Sequence, residues 1–235
     1  MITIDFERLP MKPGIKVLDI GSGPGRHTAG VYGYENVKAV GADLSFADLT
    51  LAKDRLEMHD KLGFSGGGSW DLVTSDITKL PFVDESFDIV ICSEVMEHIP
   101  DHNKAASEIL RVLKKKGTLA VSVPRMWPEK ICWALSDDYF NANQGHVRIY
   151  RKNQLKKIFT DKGCKFLSYH FAHSLHSPYW WLKCLIGPTK EDNRYVNLYK
   201  KFLEWDILEK PLLTKCLDKL LNPVCGKSVV LYFKK

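Results

Sequence analysis

The chain has 235 residues, of which 45% are apolar and 26% charged, the ordinary balance of a soluble globular protein. No apolar run approaches the roughly 18 residues of a membrane-spanning helix, and the first ten residues lack the basic and apolar regions of a secretory signal. The six cysteines are scattered without a C-x-x-C pair, so we expect reduced thiols and a cytoplasmic location.

The formal net charge of +6 is unevenly distributed along the chain. Residues 1–150 contain 17 Lys and Arg against 21 Asp and Glu, whereas residues 151–235 contain 17 against 7. A basic C-terminal third suits an anionic substrate, an anionic membrane surface or nucleic acid, and equally a solvated basic face. Charge alone leaves these alternatives open.

Short β-rich runs alternate with helical patterns in chain order. Strands are predicted at Lys16–Gly21, Val37–Asp43, Trp70–Asp76, Phe87–Ser93, Gly117–Pro124, Cys164–Phe171 and Ser228–Phe233. Helices are predicted at Arg26–Val31, Asp48–Leu62, Asn103–Leu113 and Lys152–Lys162. This alternation predicts an α/β fold in which helices cover both faces of a mostly parallel sheet.

Two segments, 125–150 and 174–226, do not fit the alternation of strands and helices. They contain five of the six tryptophans. We expect a single domain over residues 1–235, with a core of 1–124, 151–173 and 227–235 and with these two segments inserted as a helical cap.

The turn after the first strand, V-L-D-I-G-S-G-P-G at 17–25, resembles nucleotide-binding loops but departs from two of them. The dinucleotide fingerprint fails because Arg26 stands where its last small residue belongs, and no Gly-Lys-Ser/Thr follows to make a P-loop. Pro24 removes a backbone N–H that a phosphate would need. Asp19 would repel a pyrophosphate and would favour a ligand with an ammonium or sulfonium group.

Five motifs together resemble the class I S-adenosylmethionine-dependent methyltransferases, of type 11 and similar to the ubiquinone/menaquinone-type enzymes. They are V-L-D-I-G-S-G-P-G (17–25), G-A-D-L-S (41–45), S-D-I-T-K-L-P-F (75–82), S-F-D-I-V-I-C-S-E-V-M-E-H-I (86–99) and R-V-L-K-K-K-G-T-L (111–119). The resemblance covers residues 16–124. It implies a Rossmann-like seven-stranded sheet with an antiparallel last strand, S-adenosyl-L-methionine as cofactor, and methyl transfer as the activity.

The resemblance also implies the cofactor site, which lies at successive strand ends. Its candidate residues are Asp19, Gly21, Ser22, Gly23, Gly25, Asp43, Leu44, Asp76, Ile77, Ser93 and Glu94. We expect Asp19 near the ammonium group, Asp43 at the ribose hydroxyls, Leu44 on the adenine face and Asp76 at the adenine amino group. Ser93 and Glu94 are expected beside the sulfonium and the incoming acceptor. In the alternative interpretation, Asp43 and Asp76 only stabilise turns.

Two histidines are candidates for the base that a phenol or enol acceptor requires. His98 follows the fourth strand, where a structural role is also open. His146 lies in G-H-V-R-I-Y, and an extended chain would place His146, Arg148 and Tyr150 on one face, where they could bind an acidic or phenolic acceptor. In the alternative, this segment is a loop packed back on the sheet.

The stretch at 176–187, H-S-P-Y-W-W-L-K-C-L-I-G, is too apolar to face water all round. We expect Tyr179, Trp180 and Trp181, together with Trp127, to line a pocket for a small, hydrophobic or ring-bearing acceptor, with Trp133, Tyr139 and Phe140 in the same cap. Core packing of the cap is the alternative. No metal site is expected, because His170, His173 and His176 do not share a face on either a helix or a strand.

Other functions remain as alternatives. An RNA or protein methyltransferase, or a non-catalytic regulator that binds the cofactor, would share these motifs. Nucleic acid is not the expected partner, since C-S-E-V-M stands where the amino-directed DNA enzymes carry an Asn/Asp-Pro-Pro-aromatic motif, and the cap lacks interleaved basic and aromatic residues. Peripheral contact of the basic C-terminal cap with an anionic membrane is a further expectation.

Overall fold

The computed structural model describes residues 1–142, 147–190, 192–209 and 211–235, without the side chains of 140–142. Within these ranges, seven strands form one sheet in the order β3-β2-β1-β4-β5-β7-β6. They are β1 (Lys16–Ile20), β2 (Lys38–Asp43), β3 (Ser69–Thr74), β4 (Phe87–Ser93), β5 (Leu113–Pro124), β6 (Lys165–Ala172) and β7 (Ser228–Lys234). Strand β7 runs antiparallel to both of its neighbours, β5 and β6. The predicted α/β fold is confirmed.

Two helices of the first half, α2 and α3, begin at residues whose side chains accept a backbone N–H. The helices are α1 (Arg26–Tyr32), α2 (Phe46–Lys61), α3 (His102–Val112), α4 (Met126–Leu135), α5 (Asp137–Ala142), α6 (Lys152–Thr160), α7 (His176–Ile186), α8 (Arg194–Glu209) and α9 (Leu212–Cys225). Ser45 accepts from the N–H of Asp48 to start α2, and Asp101 accepts from Lys104 to start α3.

The central strands are buried on both faces of the sheet. Val17 and Leu18 are fully buried, and they belong to two different apolar clusters because successive strand residues point to opposite faces. One cluster includes Ile109 of α3 and Leu155 of α6, and the other includes Val31 of α1. Helices therefore cover both faces, which leaves the carboxyl ends of the parallel strands as the open edge.

Strand β5 begins at Leu113, four residues before the predicted start at Gly117. Leu113 pairs with Phe87 of β4, and the register then shifts before Ile89 pairs with Thr118. Lys116 takes a φ of 62° at this irregularity. Lys114, Lys115 and Lys116 lie in this irregularity, between the two parts of β5 that pair with β4.

Both segments outside the alternation form helices in the described residues. Helix α4 packs on α7, where the rings of Trp127 and Trp181 lie 5.6 Å apart and the indole N–H of Trp181 donates to the carbonyl of Pro128. Helix α9 lies along β6, held where Asp218 accepts from the Ser174 hydroxyl at 2.7 Å. None of the helices within the described ranges combines the length and the apolar character that crossing a membrane requires.

Candidate functional site

The glycine turn between β1 and α1 is folded too tightly for side chains at two positions. Gly21 has a φ of +66°, and a Cβ there would lie 2.1 Å from Cγ2 of Val95. Gly25 has a φ of +72°, and its Cβ would lie 2.8 Å from Cβ of Ala52 on α2. Gly23 has a φ of +48° with open space around its Cβ position. The first and last of these glycines are therefore packing requirements, while the middle one leaves backbone exposed to a ligand.

Asp19 is buried beneath this turn. One of its carboxylate oxygens accepts from both the N–H and the hydroxyl of Thr28, at 3.0 and 2.7 Å. Burial, together with the charge of Asp43, raises the pKa of Asp19 to about 7 despite the opposing effect of these hydrogen bonds. The carboxyl group thus anchors α1 to the turn, and a nearby cation would favour its ionised form.

The Asp43 carboxylate connects the end of β2 to the glycine turn. Its Oδ2 accepts from the N–H of Gly23 at 2.7 Å and its Oδ1 from that of Ser45 at 2.8 Å. Each carboxylate oxygen offers about two acceptor sites, so both oxygens retain capacity for a ligand hydroxyl. The neighbouring Leu44 is 74% exposed, which is unusual for a leucine flanked by a buried strand.

A cavity of about 380 Å³ opens at the carboxyl ends of β1, β2 and β4, and we call it the strand-end cavity. Its lining includes Gly21, Asp43, Leu44, Asp76, Ile77 and Glu94. Six of the eleven candidate cofactor residues therefore meet in one place. The Ser22 side chain is instead buried, and its hydroxyl has no hydrogen-bond partner among the described residues.

Asp76 and Ile77 lie in the loop after β3 rather than at its end, because the strand stops at Thr74. The Asp76 carboxylate accepts from the N–H of Thr78 at 2.7 Å, which stabilises a tight turn, and Ile77 is buried. Asp76 therefore both stabilises a turn and lines the strand-end cavity.

Glu94 takes a positive φ of 57° immediately after β4. Its Oε1 accepts from the hydroxyl of Ser122 at 2.7 Å. The hydroxyl oxygen of Ser122 in turn lies 2.8 Å from that of Ser93. A strained backbone held by such a network is characteristic of functional sites. The Ser93 side chain thus supports Glu94 from β4.

A second cavity, of about 330 Å³, lies between the sheet edge and the cap, and we call it the cap cavity. It is lined by Glu94, Glu97, His98, Pro124, Glu129, Tyr139, Trp180, Lys183, Pro188 and Lys227. Glu94 and His98 also line the strand-end cavity, so the two cavities share one wall.

Glu97, Glu129 and Lys227 were not among the candidate site residues. Glu97 and Glu129 are buried, and burial together with the charges of Glu94 and Glu129 raises the pKa of Glu97 well above its usual range. Burial also lowers the pKa of Lys227. No sequence motif marks these residues, since helix α4 and the start of β7 approach the β4 loop only in the folded chain.

The residues predicted to line the acceptor pocket do not lie together in one cavity. Trp180 lines the cap cavity, and the ring of Tyr179 meets it edge-on at 5.6 Å. Trp181 instead packs against α4, where its indole N–H donates to the carbonyl of Pro128. Trp127 and Tyr150 line a different cavity, of about 440 Å³, beside Arg125.

Arg148 and Tyr150 do face the same way, but both fasten their segment to the loop after β4. Arg148 donates to the carbonyls of Ile99 and Pro100. The hydroxyl of Tyr150 lies 2.7 Å from Nδ1 of His102. These contacts match the loop-packing alternative. His146 lies outside the described residues, as does the side chain of Phe140.

His98 is the candidate base that the described residues place at the shared wall. Its side chain is 42% exposed, and its Nε2 lies 4.0 Å from a carboxyl oxygen of Glu97. Within the described ranges, no three His, Cys, Asp or Glu residues are grouped so that they could hold a metal ion.

Known proteins resemble the first half of the chain most. Residues 18–121 match the family model of a methyltransferase domain. Methyltransferase GfsG of Streptomyces halstedii is 36% identical over 117 residues, which cover 50% of this chain and 40% of that protein. Cycloartenol-C-24-methyltransferase 1 of Oryza sativa subsp. japonica is 33% identical over 142 residues, which cover 60% and 37% respectively. The matches thus span about two fifths of these relatives' length.

A crystal structure of a Bacillus halodurans C-125 protein assigned to the methyltransferases superposes with a TM-score of 0.64 at 21% identity. The match covers 98% of this chain and 96% of that one, and it shows the shared fold. Sequence motifs, family model and fold agree. Over residues 18–121, the chain therefore matches a methyltransferase domain in sequence.

Proposed function

We propose that this protein transfers a methyl group from S-adenosyl-L-methionine to a small, hydrophobic or ring-bearing acceptor. The observation that carries the proposal is the pair of cavities that meet at Glu94 and His98. Methyl transfer is an in-line displacement, so a donor and an acceptor must approach a common point from opposite sides. Two cavities with one shared wall suit that requirement.

The strand-end cavity is the proposed cofactor site. Asp43 would accept the ribose hydroxyls, the exposed face of Leu44 would cover the adenine, and the open space at Gly23 would admit the methionine portion. The chemistry supplied by the bound cofactor is an electrophilic methyl group on sulfur. Asp19 would stabilise the positive end of the ligand through the turn, where ionisation of its buried carboxyl favours a cation.

The cap cavity is the proposed acceptor site. Tyr139 and Trp180 give it aromatic walls, which suit an acceptor with an apolar or ring-bearing body. The similar cycloartenol C-24 methyltransferase is named for an apolar acceptor of this general kind. His98 is the proposed base for an acceptor that must lose a proton, with His146 as the second candidate.

We also propose that residues 1–235 act as one domain whose segments 125–150 and 174–226 form the cap. In this arrangement α9 would contact an anionic membrane surface. Its leucines Leu212, Leu213 and Leu220 are between 69 and 78% exposed, while its acid Asp218 is turned inward to Ser174. An apolar outer face bordered by lysines is typical of helices that lie on anionic membranes.

Calorimetric titration with S-adenosylhomocysteine, and separately with NAD, tests the proposed function. We expect one molecule of S-adenosylhomocysteine to bind per chain and NAD not to bind. Formation of S-adenosylhomocysteine from the cofactor only when an acceptor extract is added would establish turnover. Cofactor binding without turnover on any extract would favour the non-catalytic regulator, and binding of NAD alone would contradict the proposal.

A further inference from the structure

The cavity of about 440 Å³ beside Arg125 is lined by three cationic side chains, and we call it the basic cavity. Arg125 follows β5, whereas Arg151 and Lys152 stand where α6 begins. The other described residues of the lining are uncharged. Three positive charges therefore face this cavity, and no carboxylate of the described lining balances them.

The three cations have neutral partners. Arg125 donates to the carbonyls of residues 222, 223 and 224 at the end of α9, at 3.2, 2.9 and 3.1 Å. A guanidinium has more N–H groups than these three bonds use. Nζ of Lys152 lies 3.7 Å from the centre of the Tyr169 ring. Within the described ranges, none of the three cations pairs with a carboxylate oxygen within 4.0 Å.

The surroundings of Arg125 agree with this lack of negative charge. Burial lowers the pKa of Arg125, and the groups whose charge would oppose the shift are the thiol of Cys225 and the phenol of Tyr169 rather than a carboxylate. A buried or half-buried charge without a counterion is costly. The charge at this cavity therefore favours an anionic ligand.

Helix α6 makes the same demand. The N-terminus of a helix carries a partial positive charge, so cations in its first turn are repelled and anions are stabilised there. Arg151 is the N-cap residue of α6, Lys152 is its first residue, and the first turn contains no acid. An anion in the basic cavity would face both side chains and the same helix end, and it would relieve this repulsion.

Aromatic residues form another part of the lining. Trp127 and Phe171 line the cavity, and Cζ of Arg125 lies 5.7 Å from the centre of the first ring and 3.8 Å from that of the second. Met126 and Val229 add apolar surface. Pockets for small molecules combine apolar walls with a few polar groups that fix the orientation of the ligand. The lining therefore suits a ligand with an apolar body as well as an anionic group.

We infer that the basic cavity binds a phosphate monoester carried on an apolar or aromatic body. The phosphate would lie against Arg125, Arg151 and Lys152, and the body against Trp127 and Phe171. The basic cavity shares no described lining residue with the strand-end cavity or the cap cavity. The inference therefore goes beyond the proposed function and does not depend on it.

Other head groups fit the lining less well than a phosphate monoester. The monoester carries a charge of about −1.5 to −2 at pH 7 and three acceptor oxygens, so it balances more of the three cations than a carboxylate of single charge. Hydrogen bonds from Arg and Lys to phosphate are short and strong. An alcohol would leave the cations unbalanced, and an ammonium group would add to their repulsion.

Calorimetric titration at pH 7 in a phosphate-free buffer tests the inference with three probes. Benzyl phosphate has both parts of the proposed ligand, benzyl alcohol has only the body, and inorganic phosphate has only the anion. We expect benzyl phosphate to bind at least about ten-fold more tightly than either, because it gains both the charge-assisted hydrogen bonds and the burial of its ring. Its affinity should fall as sodium chloride is added and should be the same with and without S-adenosylhomocysteine.

Lys152→Gln should weaken the binding of benzyl phosphate about ten-fold, because it removes one cation of the cavity. The matched control is Lys156→Gln, one turn further along α6. Nζ of Lys156 lies 4.4 Å from the centre of the Phe166 ring, so each substitution removes one charge and one ring contact from the same helix. Lys156 does not line the basic cavity, and its substitution should leave the affinity unchanged.

Arg151→Gln provides a second variant at an exposed position and should also weaken the binding of benzyl phosphate. Melting curves without ligand check that each variant is folded, and the comparison of the three probes on the unmodified protein does not depend on any variant.

Competition identifies the source of the phosphate. Vesicles of phosphatidylcholine, with and without phosphatidic acid, are added to the complex with benzyl phosphate. Displacement by the vesicles that contain phosphatidic acid would assign the site to a lipid phosphate, and no displacement would assign it to a soluble phosphate ester. Both results support a site for a phosphate monoester.

No measurable binding of benzyl phosphate, equal binding of benzyl alcohol, or equal losses in Lys152→Gln and Lys156→Gln would each overturn the inference. Equal binding of inorganic phosphate would also contradict it, because the apolar walls would then contribute nothing. Failure of S-adenosylhomocysteine to bind would instead contradict the proposed function and leave this inference standing, so the two failures are distinguishable.

Discussion

The strand-end cavity and the cap cavity are built in different ways. The first is fixed by backbone hydrogen bonds and tight turns, such as Asp43 to Gly23 and the close approach of Gly21 to Val95. The second is enclosed by side chains from distant segments, with Glu129, Trp180 and Lys227 brought together only by the cap. The strand-end cavity is therefore fixed by the backbone, whereas the shape of the cap cavity depends on cap side chains. Two changes test the strand-end cavity, and a third tests the outer face of the cap.

The largest effect is expected from Gly21→Ala. A Cβ at this position would clash with Val95 and would hold alanine at a positive φ, so the free energy of unfolding should fall by about 3 kcal/mol in urea denaturation. Gly23→Ala is the matched control, because its Cβ meets open space and only the backbone strain of about 1 kcal/mol remains. Equal losses in the two variants would show that the turn is not tight at Gly21.

Asp43→Ala should weaken S-adenosylhomocysteine binding about 100-fold in calorimetry. The substitution removes the proposed acceptor of both ribose hydroxyls, and each hydrogen bond to a charged group contributes about 1.5–3 kcal/mol. Asp71→Ala on β3 is the control, because Asp71 is exposed and its carboxylate pairs with Lys38 at 2.7 Å. Unchanged affinity in Asp43→Ala would remove the proposed ribose contact and with it the assignment of the strand-end cavity.

The smallest effect is expected at the outer face of α9. Sedimentation with vesicles of phosphatidylcholine and phosphatidylglycerol should retain the protein, and replacing both Leu213 and Leu220 by serine should weaken this binding roughly five-fold. Leu51→Ser on α2, beside β2 and β3 at the opposite edge of the sheet, should have no effect. Binding that is absent, or insensitive to anionic lipid and to salt, would exclude the membrane surface as partner.

The strand-end cavity was predictable from sequence because its geometry is local. In an α/β sheet the carboxyl ends of the parallel strands meet at one edge, so residues that follow consecutive strands must converge there. Gly21, Asp43, Leu44 and Glu94 were placed in one cavity for this reason. Ser22 departs from this expectation, because the side chain next to a tight turn can point into the core and the motif does not fix its direction.

The cap cavity was less predictable because it depends on contacts between distant segments. Apolar content identified Trp180 as part of a pocket, yet the same argument applied to Trp127 and Trp181, which pack against each other. Glu97 and Lys227 carry no signal of their own, since a charged residue is normally solvated and only the folded cap shows that Glu97 is buried and Lys227 half-buried.

The wall formed by Glu94 and His98 separates the residues that line only the cap cavity from those that line only the strand-end cavity. Three side chains line the cap cavity and not the strand-end cavity, namely Tyr139, Trp180 and Lys183. Exchanging them for side chains of another size or polarity would change the lining of the proposed acceptor site and leave the strand-end cavity as it is. Recognition of the acceptor could then change, in evolution or by engineering, without a change in recognition of the donor.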